Sequence, residues 1–305
     1  MRRQFRILHS AFYTRNMAEP VAVASLNANL YEHIDRLLVN VPAYSGPKAA
    51  LRVQTLGGFR AWCDGNEVPP TAWGREKALH LFQFFITMRR QYLHKEQIID
   101  RLWPELDIEK GDRDFKVALN SINKALEPAR EPRSEPRFTL RYGLAYGLDF
   151  ENVWLDTEVF EQLIAAANQS LLDRAGDGDY AIACYTAAIN LYNGDYLPER
   201  RYEDWTSAER ERLQLLALNT MTTLAGLLLE RSPLESVRLT QRVLSVDPVW
   251  EDAYRVQMRA YAAQHNRPLA LRTYEKCVKV LDDEFGVEPL PETTDLYEQI
   301  LDNDL

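Results

Sequence analysis

The order of hydrophobic patterns between residues 51 and 150 limits the fold more than any other feature of the sequence. Two short strand patterns joined by Asp64-Gly65, a typical hairpin turn, begin this segment, and a glycine-punctuated hairpin pattern ends it. Between them lie three amphipathic helical patterns, which we expect at about residues 75–88, 95–102 and 112–127. Strands, three helices and a terminal hairpin in this order predict an α+β winged helix.

The sequence after Asp156 is almost wholly helical. A spacing of small and aromatic residues recurs in it, and the matching positions Ser236 and Ala270 are 34 residues apart, which is the period of tetratricopeptide repeats. We therefore predict a mainly α protein with an N-terminal extension over 1–50, a winged helix over 51–150 and an all-α, tetratricopeptide-like domain over 151–305. The expected turns between helices are Gly176–Asp179, Gly194–Pro198, Ser232–Pro233, Asp247–Pro248 and Gly286–Pro289.

Residues 1–50 combine an irregular basic start with one short helical pattern. Leucines and isoleucine at 30, 34, 37 and 38 fall on one helical face, and Pro42 to Pro47 have the composition of a linker. We interpret this extension as a helix and tether without activity, or as the tail of a longer upstream module.

The composition is that of a globular chain with room for two domains. The chain has 305 residues, of which 46% are hydrophobic and 27% charged. No apolar run is long enough to cross a membrane, and no signal peptide is evident. Cys63, Cys184 and Cys277 are far apart and outside any CxxC pair, which indicates a reducing compartment. We expect a cytoplasmic protein with no membrane partner.

The net charge of −9 is distributed unevenly along the chain. Residues 51–150 have 16 basic and 14 acidic side chains, whereas residues 151–305 have 14 basic and 28 acidic ones. A charge difference of this kind suggests that the two halves have different partners.

The third helical pattern has side chains that are suited to DNA on one face. Its core stripe consists of Phe115, Leu119, Ile122 and Leu126, and Asp112 is the expected N-cap. Lys and Arg can neutralise phosphates or donate to guanine, and Asn can pair with an adenine edge in the major groove. An ordinary solvated face would have the same residue types. The residues of the opposite, polar face are Arg113, Lys116, Asn120, Asn123 and Lys124.

Two further positions have side chains that can contact a duplex. Arg141 and Tyr142 lie at the turn of the terminal hairpin, where a cation can reach the minor groove and an aromatic ring can pack on a sugar. A surface Arg on a hairpin is the alternative interpretation.

The segment 51–150 strongly resembles the winged helix of SARP-type regulators, the Streptomyces antibiotic regulatory protein family, which is itself similar to OmpR-type effector domains. The residues that show this are LRVQTLGGFRAWCDGNEV, WGREKALHLFQFFI, LHKEQIIDRLWPE, DFKVALNSINKALEP and LRYGLAYGLD. The segments VWLDTEVFEQLI, AIACYTAAINLYNGDYLPE, WTSAERERL and VLSVDPVWEDAYRVQMRAYAAQHNRPLALRTYEKCVKVLDDEFGVEPLPET look like the bacterial transcriptional activator domain that follows it.

The resemblance implies an activator that binds double-stranded DNA at promoter direct repeats and recruits RNA polymerase. It makes residues 112–127 the recognition helix and Arg141-Tyr142-Gly143 the wing. It also matches Arg75 and Lys77, which begin the first helix, to a basic pair that can meet phosphate; capping or surface charges are the alternative interpretation. The family's recognition helix usually ends in an Arg-rich segment, whereas this chain has Ser121 to Lys124 there. Fewer cations imply fewer phosphate contacts, for which self-association on adjacent half-sites can compensate.

An enzyme and a protein-interaction scaffold are the two alternative classes of function. The five histidines are scattered without metal-ligand spacing, and neither a phosphate-binding loop nor a nucleophile motif is present, so we expect no enzyme, no metal and no cofactor. The other alternative is a protein-interaction scaffold, in which the acidic helices bind a partner and the winged helix is structural or signal-dependent. Its groove would be lined by Trp250, Tyr254, Tyr261 and Tyr274, although aromatic residues at such spacing more often belong to a core.

Overall fold

The computed structural model of the chain describes residues 49–172 and 178–302. The predicted helix and linker of the N-terminal extension lie outside these ranges, and so does the first half of the expected turn at 176–179. The described chain forms two compact units, and part of the stretch predicted as the helical domain belongs to the first of them. The N-terminal unit contains residues 49–159 and 194–213, and the helical unit contains residues 160–172, 178–193 and 214–302.

The first sheet of the N-terminal unit contains the predicted hairpin. Strand β1 (Leu51–Gln54) pairs antiparallel with β2 (Arg60–Cys63), and β2 pairs with β3 (Asn66–Glu67) across the turn at Asp64-Gly65. Both turn residues have positive φ, of 46° and 83°, as a two-residue hairpin turn of the twisted type requires. The fourth strand, β7 (Val153–Leu155), pairs parallel with β1 and was not predicted from the sequence.

Three helices follow in the predicted order, α1 (Glu76–Thr87), α2 (Lys95–Leu102) and α3 (Ile108–Leu126). The expected N-cap at Asp112 is wrong, because α3 begins one turn earlier and Asp107 caps it by accepting a hydrogen bond from the Lys110 amide at 2.9 Å.

Gly111 therefore lies inside α3 rather than before it. A Cβ atom at this position would lie 2.5 Å from Cγ2 of Ile99, which is buried in α2. The glycine thus allows the backbone of α3 to approach α2 closely, at a cost in helix propensity of about 1 kcal/mol.

The second sheet forms the wing next to α3. Its strands are β4 (Leu93–His94), β5 (Thr139–Tyr142) and β6 (Ala145–Leu148), in the order β4-β6-β5. Gly143 at the β5–β6 turn has a φ of 62°. The ring of Tyr146 on β6 lies edge-to-face with that of Phe115 on α3, with centroids 4.9 Å apart, and this contact joins the wing to the helix. The predicted winged helix is confirmed.

Residues 194–213 pack into the core of the N-terminal unit. Tyr196 is fully buried, and its hydroxyl lies 2.8 Å from Oγ1 of Thr87 at the end of α1. The buried guanidinium of Arg200 donates to Oε1 of Gln83, also on α1, at 2.7 Å. Such buried hydrogen bonds fix the segment 194–213 in one position against α1, because a buried polar group left without a partner costs folding free energy.

A buried carboxylate connects β1 to the start of the next helix. The side chain of Asp156 accepts hydrogen bonds from the Thr55 amide at 2.6 Å, the Thr55 hydroxyl at 2.7 Å, the Leu56 amide at 2.8 Å and the Thr157 amide at 2.9 Å. Burial raises the pKa of Asp156, and the four donors oppose this shift by stabilising its ionised form.

The helical unit is a succession of packed helices, as predicted, with the mainly α fold class confirmed. Consecutive helices α7, α8, α9 and α10 each pack on the next. Ser236 and Ala270, the matching positions 34 residues apart in the sequence, are both fully buried. The turns expected at 194–198, 232–233, 247–248 and 286–289 all lie between helices. The bounds are α4 (Asp156–Leu172), α5 (Gly178–Leu191), α6 (Asp204–Leu227), α7 (Pro233–Val246), α8 (Glu251–Ala263), α9 (Arg267–Phe285) and α10 (Pro291–Asp302).

Of the aromatic residues suggested for a groove, Tyr254 lies in the interior of the helical unit, whereas Trp250, Tyr261 and Tyr274 are half-buried. Tyr254 is fully buried and donates to the carbonyl of Pro248 at 2.9 Å. Tyr274 stacks on Tyr297 with ring centroids 4.2 Å apart, beside the core formed by Met258, Ala270, Leu296 and Ile300. In the described part of the chain, no helix is both long and apolar enough to cross a membrane.

We predict that Asp156→Asn lowers the free energy of unfolding by about 3 kcal/mol, because the new amide group presents a donor to backbone amides that need an acceptor. Urea unfolding followed by circular dichroism measures the change. Asp149→Asn is the control, since the hydrogen bond that Asp149 accepts from the Glu151 amide at 3.0 Å is exposed to solvent, and we expect the substitution to cost less than about 1 kcal/mol. Equal effects of the two substitutions would contradict this role of Asp156.

Candidate nucleic-acid interface

The outer side of α3 presents a short polar stripe. Arg113, Lys116, Asn120 and Lys124 follow one another at intervals of three or four residues, so they lie on one side of the helix, and all four are exposed. The opposite side packs into the core through Phe115, Ile122 and Leu126. This face is the one predicted from the sequence for these four residues.

Asn123 is a correction to that prediction. Its side chain is only 5% exposed, and its Oδ1 accepts a hydrogen bond from the Thr139 hydroxyl on β5 at 2.7 Å. The first wing strand covers this flank of α3, so Asn123 fixes the wing to the helix rather than facing solvent. Helical spacing alone does not reveal which flank a later strand will cover.

The basic pair at the start of α1 separates into two roles. Lys77 is half-buried, and its ammonium donates to the Leu102 carbonyl at the end of α2 at 2.5 Å, while lying 5.6 Å from the centroid of the Trp103 ring. It thus caps α2 and is not free to contact phosphate. Arg75 lies at the N-cap position of α1 with an exposed side chain that makes no capping hydrogen bond.

Arg141 and Tyr142 are both exposed near the tip of the wing. Nε of Arg141 donates to the Gly143 carbonyl at 2.9 Å, and its guanidinium lies 5.6 Å from the centroid of the Tyr146 ring. The Tyr142 ring lies edge-to-face with Tyr92 at 4.8 Å. These contacts hold both side chains in defined positions.

Lys95, which the sequence analysis missed, and Asp112, which it assigned only as an N-cap, connect the wing tip to α3. The Lys95 amide donates to the Leu144 carbonyl at the wing turn at 2.8 Å, and the Lys95 ammonium pairs with Oδ1 of Asp112. Oδ2 of Asp112 lies 2.6 Å from Nζ of Lys116. Hydrogen bonds from Lys116 and then Lys95 lower the pKa of Asp112. The spacing of Asp112 and Lys116 indicates their pair, but no sequence pattern indicates the contact with Lys95.

The described ranges contain no group of three or more His, Cys, Asp or Glu side chains arranged to hold a metal ion. All three cysteines are free and buried. Burial raises the pKa of the Cys63 thiol to about 11, so this thiol is protonated near neutral pH.

Comparison with known proteins relates the second half of the chain to a known domain. Residues 155–301 match the model of the bacterial transcriptional activator domain. The chain is 25% identical over 264 residues to the regulatory protein AfsR of Streptomyces coelicolor, which covers 86% of this chain. Together these matches support a SARP-type transcriptional regulator. The resemblance predicted from the sequence is thereby confirmed.

A solved structure shares the fold of this chain. It is Mycobacterium tuberculosis EmbR, in complex with a low affinity phosphopeptide, which superposes with a TM-score of 0.72 at 20% identity over 84% of this chain. The chain spans 25% of the length of AfsR and 66% of that EmbR chain, so both relatives contain further sequence. At this identity the EmbR likeness shows the fold alone.

We predict that Asn123→Ala lowers the free energy of unfolding by about 1–2 kcal/mol, because the buried Thr139 hydroxyl loses its acceptor. Asn120→Ala is the matched control on the same helix, and we expect its effect to stay within about 0.5 kcal/mol because Asn120 is exposed. Thermal and urea unfolding of both variants measure the difference. A larger loss of unfolding free energy in Asn120→Ala than in Asn123→Ala would contradict the assignment of Asn123 as the buried residue and Asn120 as the exposed one.

Proposed function

We propose that this transcriptional regulator binds double-stranded DNA sequence-specifically through α3 and the wing, and acts as an activator at promoter direct repeats. The observation that supports this most strongly is the exposed stripe of Arg113, Lys116, Asn120 and Lys124 on α3, since an α-helix fits the major groove. The matches to an activator domain and to a regulatory protein support the same class of function.

Each side chain of this surface has a chemical role in the proposed complex. The Asn120 amide can donate to and accept from an adenine edge, while the guanidinium of Arg113 and the ammonium groups of Lys116 and Lys124 bind guanine or phosphate oxygens. Arg141 enters the adjacent minor groove, and its hydrogen bond to the Gly143 carbonyl orients it for that contact. Arg75 binds the phosphate backbone.

The number of free cations on this surface is small for a DNA-binding face. Lys77 is engaged in capping α2, Lys116 pairs with Asp112, and Asn123 is buried. Because each phosphate contact adds to the affinity and to its salt dependence, one copy alone binds a duplex only moderately. We therefore propose that two copies bind adjacent half-sites in direct orientation and that their association on DNA raises the affinity.

The remaining parts of the proposal concern the helical unit and the kind of activity. We propose that the helical unit supports self-association and recruits RNA polymerase, and that the chain acts without catalysis or cofactor, in the cytoplasm where the bacterial chromosome lies. Helical-repeat arrays bind other proteins through extended surfaces, which supports a recruiting role.

We predict that Lys116→Glu weakens binding to a pool of random duplexes at least tenfold at ~50 mM salt, because it replaces an attractive charge with a repulsive one at the groove. Fluorescence anisotropy with a labelled duplex pool measures the affinity. Lys276→Glu, the same charge reversal at an exposed position of α9, is the control and should change affinity less than about twofold. Wild-type affinity in Lys116→Glu would rule out this face as the DNA-binding surface.

A further inference from the structure

Asp112 is an acidic side chain in the middle of the basic surface proposed to bind DNA. Its two carboxylate oxygens bind different lysines, Oδ1 that of Lys95 on α2 and Oδ2 that of Lys116 on α3, the latter at 2.6 Å. The side chain of Lys116 is 63% exposed, whereas those of Lys95 and Asp112 are 20% and 25% exposed. Asp112 thus binds one half-buried lysine and one lysine that reaches solvent.

The pairing with Lys95 has a structural reason. Lys95 is the first residue of α2, where the positive end of the helix dipole disfavours a cation. The Asp112 carboxylate offsets that unfavourable position. Because the Lys95 amide also donates to the Leu144 carbonyl at the wing turn, the three residues join the recognition helix to the wing tip.

The pairing with Lys116 alters how that lysine meets DNA. A phosphate that approaches Lys116 has to compete with a carboxylate already bound to it and is itself repelled by Asp112. Exposed ion pairs of this kind are weak and can be broken, but the competing charge lowers the gain from each phosphate contact. Contacts of Asn120 and Arg113 with base edges do not involve Asp112, so this loss falls on the sequence-independent part of the binding energy.

We propose that Asp112 is a specificity-determining residue, which withholds one lysine charge from phosphates and fixes the recognition helix against the wing tip. This inference rests on the proposed DNA-binding function. Asp112 weakens binding to any duplex that the protein contacts only through phosphates. Binding to the correct sequence then depends on the contacts with base edges.

The test compares the salt dependence of binding in wild type and Asp112→Asn, with a random duplex pool and with a duplex selected by the wild-type protein. One additional unpaired cation should steepen the plot of log affinity against log salt by about 0.9 for the random pool. At ~100 mM salt this corresponds to about threefold to tenfold tighter non-specific binding, while the ratio of selected to random affinity falls.

Two matched variants separate this effect from a general change of charge. Glu109→Gln removes an exposed acidic side chain one turn earlier on the same helix, and no described contact pairs Glu109 with a lysine. Its slope of log affinity against log salt should therefore change by less than about half as much as that of Asp112→Asn. Asp112→Glu keeps the carboxylate and should retain the wild-type slope. Thermal unfolding confirms that each variant is folded before its affinity is measured.

A second readout does not depend on DNA. With limiting acetylating reagent, mass spectrometry should find Lys116 more reactive in free Asp112→Asn than in the wild type, since the ion pair that protects its ammonium is lost. An unchanged slope and unchanged Lys116 reactivity, in a protein whose wild type binds DNA, would overturn this inference alone. A wild type that binds no duplex at any salt would overturn the proposed function, and this inference with it.

Discussion

The winged helix of this protein depends on buried polar contacts with residues beyond its own sequence segment. The Asp156 carboxylate, with four donors, ties the end of β1 to the first turn of α4, and Arg200 ties the segment 194–213 to α1 through Gln83. A buried carboxylate or guanidinium is stable only when it is fully paired. Losing any one of these hydrogen bonds therefore costs folding free energy. The helix α1, on which α3 packs, is therefore held in place by Arg200 through Gln83.

Further contacts position the face that is proposed to bind DNA. α3 is fixed to the wing by the Asn123–Thr139 hydrogen bond and the Phe115–Tyr146 ring contact, and to the wing tip through Asp112 and Lys95. Side chains on such a rigid element can read a groove without first being ordered, which saves conformational entropy on binding. The same contacts engage cationic and amide side chains that the sequence alone would assign to DNA. The outer surface of α3 and the wing is therefore less basic than its residue types suggest.

Local patterns predicted much of this structure, and long-range contacts account for the rest. The hairpin at Asp64-Gly65, helix α2 and four of the inter-helix turns follow from turn chemistry and helical periodicity, which act over a few residues. The parallel pairing of β7 with β1, the burial of Asn123 and the contact between Lys95 and Asp112 join residues 16 to about 100 positions apart. The start of α3 was misplaced because Gly111 usually marks a helix boundary, whereas here it relieves a clash with Ile99.

The central claim is that α3 and the wing read sequence in double-stranded DNA. Its most direct test is to incubate the purified chain with a random duplex library at ~150 mM salt, where purely electrostatic binding is suppressed, and to sequence the retained duplexes. The account predicts enrichment of two similar half-sites in direct orientation, about one helical turn of ~10 base pairs apart. Retention without any enriched sequence, or binding only at low salt, would contradict it.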